Sequence, residues 1–532
     1  MTSSSETTTK ATGREDLLFE GSEWTFDKLK RTYAAIEEIA RDDLGLDTYS
    51  NQIEVITAEQ MLDAYCSIGM PLMYQHWSFG KRFIRDETLY RKGFQGLAYE
   101  IVINSDPCIS YYMEENTMAM QTLVLAHAAF GHNHFFKNNY LFQEWTDAKA
   151  ILGYLEFAKG YIASCEERHG LDAVEEILDA CHALMDQGVF RYRRRGKLSA
   201  EKEQALIDAR LAYENETFND IWRTLPQGPV SSDPSEAEAA KAERRAALKL
   251  PEENLLYFIE KNSPVLETWE REILRIVRNM AQYHYPQKQT KMMNEGCACF
   301  VHYTIVNKLF DKGLISEGTL LEILHSHTNV VFQPDFDDPR FNGINPYALG
   351  YEMMQDIRRI CTDPTDEDRE WFPAIAGFGT WRETLRDAWA NFRDESFIRQ
   401  FLSPHLIRKM RLFNIDDDAN KNYLSVSCIH NEQGYQRVRD SLARSYDVTN
   451  LEPDIQIVDV DLLGDRQLVL RHYQSDGIAL SAGSRDDALH HLRRLWGYDV
   501  RLQGVDAGTG RRLYEASTEP EITTSPMPAA AV

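Results

Sequence analysis

Cysteine pairs at metal-binding or redox spacing are missing. The 532-residue chain carries eight cysteines, Cys66, Cys108, Cys165, Cys181, Cys297, Cys299, Cys361 and Cys428, and none forms a CxxC. That argues against zinc-ribbon and thioredoxin-type motifs. Cys297 and Cys299 make only a CxC. Thiols spread this thinly are expected to be reduced, as in cytosolic proteins. Long apolar runs are also missing, so no membrane span is expected. The opening MTSSSETTTKATGREDLLFEG lacks the apolar core of a secretory signal, and a cytoplasmic location is expected. Basic charge is in short supply: 58 Lys and Arg stand against 83 Asp and Glu, a net charge of −25. Such a field repels phosphate backbones and anionic lipid heads, so neither nucleic acid nor a membrane surface is an expected partner.

What is present is enough apolar material for real cores. Hydrophobic residues make up 43% of the chain and aromatics 11%. A chain of this length is expected to divide into at least two domains. Residues 1–14 are polar and Ser/Thr-rich, and read as a disordered tail. From Trp24 onward Phe26, Leu29, Tyr33, Ile36 and Ala40 recur at helical spacing. Thr57 to Gln60 forms a capping box before another apolar run, which Gly69 and Pro71 close. Residues 97–104, LAYEIVIN, cluster β-branched and aromatic side chains and predict a strand, ended by Ser105-Asp-Pro107. A helix is expected over Glu114–Phe130, and helices again over 146–187. Residues 226–250 lose nearly all apolar side chains except alanine and read as a flexible linker. Helical patterning resumes at Glu253 and runs to about Met410, interrupted at 334–346 and 372–379.

After Asp416 the period changes. Strand-like alternation at Tyr423–Ile429, a helix over Gln433–Tyr446, strands at Ile455–Val460 and Leu468–His472, a helix over Asp486–Trp496 and a strand at Asp499–Leu502 give the order βαββαβ, a ferredoxin-like pattern. The expected organisation is therefore a mostly α main domain over 15–415 with a small zincin-like α+β element, a C-terminal ferredoxin-like α+β domain over 416–515, and a disordered tail over 516–532. No Gly-rich phosphate loop is visible in the C-terminal region, and no nucleotide cofactor is expected.

Two segments could carry chemistry: Leu125-Ala-His127-Ala-Ala-Phe-Gly131-His132-Asn133-His134, and Asn294-Glu295-Gly296-Cys-Ala-Cys299-Phe-Val-His302-Tyr303. Clustered imidazoles are a legitimate transition-metal signal. The spacing is imperfect, because five residues on a regular α-helix leave His127 and His132 roughly 140° apart. They converge only if the helix bulges or ends between them, and Gly131 makes such a break reasonable. Glu295 and His302 share a helical face, but roughly 10 Å apart along its axis. That favours Glu295 as a ligand and His302 as a partner behind it.

The arrangement is similar to zincin-like peptidases, in which a strand lies beside a helix bearing two histidine ligands and a later Glu completes the site. Here the ligands would be His127, His132 and Glu295, holding Zn or another divalent transition metal. One departure matters: zincins place a general-base Glu directly after the first His, and Ala128 stands there. Glu100, Glu115 or His302 could substitute, and Tyr303 could assist. A structural His/Glu network and a metal-free active site are the competing readings. His76-Trp-Ser-Phe-Gly80-Lys81 and His325-Ser-His327-Thr-Asn329 read as capping or packing features, and Arg191–Arg195 as a solvated basic face.

Long words such as YSNQIEVITAEQMLDAY, GMPLMYQHWSFGK, HAAFGHNHFFKNNYLF, YPQKQTKMMNEG, LHSHTNVVFQP and INPYALGYEM closely resemble the stage V sporulation protein R (SpoVR) family, in its proteobacterial branch, from about Trp24 to Val505. The resemblance implies a role in spore-cortex formation or in stationary-phase and stress physiology, without a settled activity. It also implies possible partners, a PrkA-type serine kinase and a von Willebrand A-like protein. Where relatives usually read Glu-Gly-Trp-Ala, a small residue, an aromatic, Trp and His-Tyr, this chain keeps Glu295, Gly296, His302 and Tyr303 but carries Cys297 and Val301 in place of Trp. His134 stands where relatives often carry Ser or Asp, so it and the two cysteines are set aside as ligands. Two functions follow as expectations: a metal-dependent hydrolase of amide or peptide bonds, or a non-enzymatic regulatory scaffold acting with the kinase system.

Overall fold

The computed structural model describes residues 17–66, 70, 73–91, 99–191, 248–413, 415–416, 425–426, 431–460, 462, 465–474 and 480–518. Two compact units emerge: one gathers the described residues of Met1–Ala163 and His284–Val448, the other those of Ser164–Tyr283 and Thr449–Val532. Both are rich in helix, with small sheets. Among the described residues no helix is long and apolar enough to cross a membrane.

The first unit begins with helix α1 (Phe26–Glu38), capped by the Thr25 side chain and continuing into a π-helical turn, Ile39–Asp43. Leu29 and Ile36 are buried as their spacing predicts, whereas Phe26 faces solvent. Three strands follow, β1 (Asn51–Ile56), β2 (Glu100–Ile103) and β3 (Cys108–Met113), in the order β1-β3-β2. β1 runs parallel to β3, and β2 runs antiparallel to it. The capping box at Thr57 is present: its amide donates to Gln60 Oε1 at 3.0 Å and its Oγ1 accepts from the Gln60 amide at 3.2 Å. Gly69 and Pro71 lie outside the described residues, as do 97–98 at the start of the expected strand.

The helix expected from Glu114 starts later. Cys108–Met113 is a strand, and Thr117 caps the helix proper, accepting from the Met120 amide at 3.2 Å. β3 is central in its sheet and buried along almost its whole length, so it shows no polar–apolar alternation to betray it. Helix α2 (Met118–Val124) passes without interruption into a π-helical segment, Leu125–His132, and then into α3 (Asn133–Asn138). Around it pack α4 (Lys291–Asp311), α5 (Glu317–Val330), α6 (Pro346–Thr362), α7 (Asp394–Phe401) and α8 (Glu432–Tyr446), which share one core containing Phe130, Phe300, Ile305, Met354, Phe397 and Val438. The expected interruptions at 334–346 and 372–379 fall where the chain leaves helix.

Glycine sets two close approaches in this core. A Cβ on Gly131 would sit 2.5 Å from Ala298 Cα, and one on Gly296 would sit 2.6 Å from Gly350 Cα. The π-helical segment and α6 therefore both press their backbones onto α4 near Glu295. Asp394, the first residue of α7, holds the start of α4: its two carboxylate oxygens accept from the Met292 and Met293 amides at 2.8 Å each.

In the second unit the helices Leu171–Ala183, Leu255–Asn262 and α9 (Ala482–Trp496) accompany a four-stranded sheet of β6 (Asp454–Val460), β7 (Leu468–Gln474), β8 (Val500–Asp506) and β9 (Arg512–Ser517), in the order β6-β7-β8-β9. The outer pairs are antiparallel hairpins, and β7 and β8 are parallel, joined through α9. This ββαββ arrangement differs from the expected βαββαβ pattern. The segment read as its first strand is described only at Ser425–Val426 (β5), paired with Ile415–Asp416 (β4), and the helix after it, α8, packs in the first unit. β9 went unread because it is an edge strand whose outer residues are polar and exposed. Most of the expected linker at 226–250 lies outside the described residues.

Gly131→Ala should destabilise the protein by about 1–3 kcal/mol, the usual range for overpacking a tight core. Gly160→Ala, in the middle of helix Ile151–His169 with nothing within 4 Å of the added Cβ, should stabilise by about 0.5–1 kcal/mol. Chemical denaturation of both variants checks the opposite signs.

Candidate metal centre

The five-residue gap between His127 and His132 is resolved by the backbone. Both lie in the π-helical segment, where each amide bonds the carbonyl five residues back and residues five apart therefore stack on one face. The two rings stand 4.7 Å apart at 89°. Glu295 reaches them from α4: its Oε2 is 3.5 Å from His132 Nε2 and 3.9 Å from His127 Nε2. Glu100, on β2, brings Oε1 to 3.6 Å from His127 Nε2. Three separate stretches thus bring carboxylate oxygens within 4 Å of the two rings, and Glu100, His127 and His132 each offer an atom within 4.8 Å of the others.

The far edges of both rings are occupied. His132 Nδ1 meets Asn294 Oδ1 at 3.0 Å. An amide oxygen only accepts, so that Nδ1 carries the proton and Nε2 presents a lone pair. His127 Nδ1 meets His302 Nδ1 at 2.9 Å, and the His127 ring also donates to the Ala298 carbonyl. Ligating histidines are commonly oriented by such a hydrogen bond from the other nitrogen. His302 Nε2 continues to His327 Nδ1 at 2.8 Å. Three imidazoles therefore run in series from the centre to α5, where the His327 ring packs on Tyr303 and Tyr351.

Burial governs the charges. His127 and His302 are held well below the usual histidine range, first by burial and then by neighbouring imidazoles, and burial takes His327 to about 4. These rings are neutral, the form that binds metal. The Glu100 carboxyl is pushed up to about 8 by burial and by the charge of Glu295. Glu295 is raised by burial, while His132, a hydrogen bond from Tyr347 and Lys291 pull it back. Tyr347 is delivered by the start of α6, where Asn345 caps the helix and Pro346 opens it. The carboxylates keep 19% and 17% of their side-chain surface exposed, against 6% and 9% for the two histidines, so solvent reaches the centre from the carboxylate side. Imidazole nitrogens and carboxyl oxygens are the donors that a divalent transition metal takes, so the residues fit such an ion.

Of the residues singled out from sequence, Glu100, His127, His132 and Glu295 come together, His302 stands behind His127, and Tyr303 stands behind His302, against His327. Glu115 is not among these donors: it lies exposed in the turn after β3. His134 points elsewhere: its Nδ1 lies 3.0 Å from the Asp47 amide, and its ring packs on Trp389. His76 sits just before helix Trp77–Arg91 with Nδ1 2.7 Å from Ser78 Oγ, a capping position. Of the short basic run, residues 192–195 lie outside the described residues. Asn294, His327 and Tyr347 join the centre without being predicted as members of it. Asn294 and Tyr347 carry no signal beyond their place inside the family words, and the segment of His327 reads as capping or packing. Cys299 was set aside, yet its thiol lies within 4.8 Å of one nitrogen of His127 and one of His302.

The chain matches the family described as SpoVR like protein over residues 23–451 and the SpoVR-like C-terminal domain over residues 453–507. It is 57% identical over 486 residues to the Uncharacterized protein YcgB of Escherichia coli (strain K12), covering 91% of this chain and 93% of the relative. No solved structure matches it. With the family matched over both parts of the chain and the long words shared with it sitting on this centre, the chain belongs to the SpoVR-like family.

Proposed function

We propose that the protein is a metal-dependent hydrolase of amide or peptide bonds, with a divalent transition metal of the zinc class held by His127, His132 and Glu295. The observation that carries this reading is the convergence of two Nε2 atoms on Glu295 Oε2, with both Nδ1 edges engaged behind them. The order of a strand, a helix with two histidines and a later glutamate is that of the zincin-like arrangement. The ion would supply Lewis-acid polarisation of the scissile carbonyl.

The remaining chemistry falls to the chain. Ala128 offers no base, and Glu100, whose Oε1 lies 3.6 Å from His127 Nε2, is the carboxyl beside the ligands placed to take and return a proton. It takes the proton of the attacking water and delivers it to the leaving nitrogen. Tyr347 holds Glu295 through its hydroxyl. Asn294 and His302 fix the rings of His132 and His127, and Tyr303 backs this line through His327.

Elemental analysis after loading with Zn²⁺ tests the reading. Wild type should hold about one equivalent, lost in His127→Ala and Glu295→Ala. Glu100→Gln should keep the ion and lose roughly 10²–10⁴-fold in turnover of short peptide amides, the usual worth of a general base. Wild-type protein that takes up no zinc, or Glu295→Ala protein that takes up as much, would leave a hydrogen-bonded His/Glu network. The regulatory scaffold acting with a PrkA-type kinase and a von Willebrand A-like protein would then be the better account.

Asn294→Ala should weaken metal binding roughly 10–100-fold while leaving all three ligands in place, as read by chelator competition.

A pH test addresses Glu100 separately. In metal-stripped protein its folded value is about 8 against an ordinary 4.5, so between these limits the folded state holds a proton that the unfolded state has lost. Stability must then fall as pH rises from 4.5 to about 8, by up to about 1.4 kcal/mol per pH unit. Thermal melts of the stripped Glu100→Gln variant should lack that component of the slope.

A further inference from the structure

Cys299 lies one turn along α4 from Glu295 and His302 two turns along it, three residues after Cys299 on the same helical face, and His127 faces them from the π-helical segment. The Cys299 thiol and one nitrogen of each ring lie within 4.8 Å of one another, and all three residues are buried. His302 Nε2 is engaged by His327, so its Nδ1 is the nitrogen open to an ion, and that atom already meets His127 Nδ1 at 2.9 Å. We propose that His127, Cys299 and His302 form an inner binding site for a soft monovalent cation of the Cu(I) class, distinct from the outer centre but sharing the His127 ring.

Charge and softness select the ion. A thiolate and two imidazoles are the donors that soft copper prefers. One thiolate and two neutral rings balance a single positive charge, which suits a site with almost no access to water. A divalent ion would leave an uncompensated charge buried there. The outer centre, with two carboxylates, balances two charges and offers harder oxygen donors. The two neighbouring sites therefore sort ions by charge and by softness.

Binding forms one metal–sulfur and two metal–nitrogen bonds. The Cys299 S–H bond breaks, its proton passes to water, and no electron is transferred. His302 keeps its proton on Nε2, directed at His327 Nδ1. His127 must give up its Nδ1 proton and carry one on Nε2 instead, the nitrogen that faces Glu100 Oε1 at 3.6 Å and Glu295 Oε2 at 3.9 Å. That nitrogen is then closed to the outer ion, so the two ions compete for one ring. The competition rests on the outer site proposed above; the inner site does not.

The test is anaerobic titration of full-length protein with Cu(I) against a colorimetric Cu(I) chelator. Wild type and His132→Ala should each retain one equivalent. Cys299→Ala and Cys299→Ser should bind at least tenfold more weakly, and Cys297→Ala should match wild type, with far-ultraviolet circular dichroism confirming the fold of each. Zn²⁺ bound at the outer site should be released when Cu(I) is added to wild type but kept in Cys299→Ala. Equal Cu(I) retention by wild type and both Cys299 variants, or none by wild type, overturns the inner site. If the Cu(I) results hold while His132→Ala and Glu295→Ala still keep zinc, the outer assignment fails and the inner one stands.

Discussion

A π-helical run is a poor way to build a helix. Its hydrogen bonds reach one residue further than those of an α-helix, and such runs are rare and short, often no more than a single-turn bulge at a functional site. The chain sustains one over eight residues, Leu125–His132, wholly within its core. The run is held from outside: Gly131 lies on the backbone of Ala298, where no side chain could fit, and Phe130 and Ala129 are buried in the same core. Everything at the centre depends on it. On an α-helix the two histidines would diverge, and Glu295 could meet one of them at most.

The partner helix is fixed as firmly. Asp394 caps α4 two residues before the asparagine that orients His132, and Gly296 and Gly350 let α6 approach closely enough for Tyr347 to reach Glu295. Burial pushes Asp394 up to about 7, and the two backbone amides work against that shift. One short stretch, Met292 to Glu295, therefore carries a helix cap, a ring-orienting amide and a carboxylate in succession. A displacement of α4 by one residue would remove all three at once.

The local features could be read from sequence because their chemistry is complete within a few residues. The Thr57–Gln60 box needs only its own four positions, and the helix from Phe26 needs only its period. The break near Gly131 was inferred because the five-residue spacing demanded one, although its form, a continuous π-helical run, depends on Ala298 about 170 residues away. β3 was hidden because it is buried on both faces, and β9 because it lies at an edge. The C-terminal pattern failed for a different reason: element order along a chain does not fix strand order in a sheet, and α8 joins a core set by residues hundreds of positions earlier. Asn294, His327 and Tyr347 are ordinary residues in sequence and become site residues only through contacts made by other helices.

A purely structural reading of the polar cluster meets a difficulty of its own. Buried polar networks add stability when every member is satisfied, and they cost stability when a charge is left without its counterpart. Here the Glu100 carboxyl is pushed up by burial and by the charge of Glu295, and burial holds the His127 ring beside both well below the usual histidine range. Replacing either carboxylate by an amide would relieve that tension at no cost in volume. A network selected for stability alone would have no use for it. A cluster suited to receive a cation needs both carboxyl groups and both rings, and it needs them held in place by the surrounding helices.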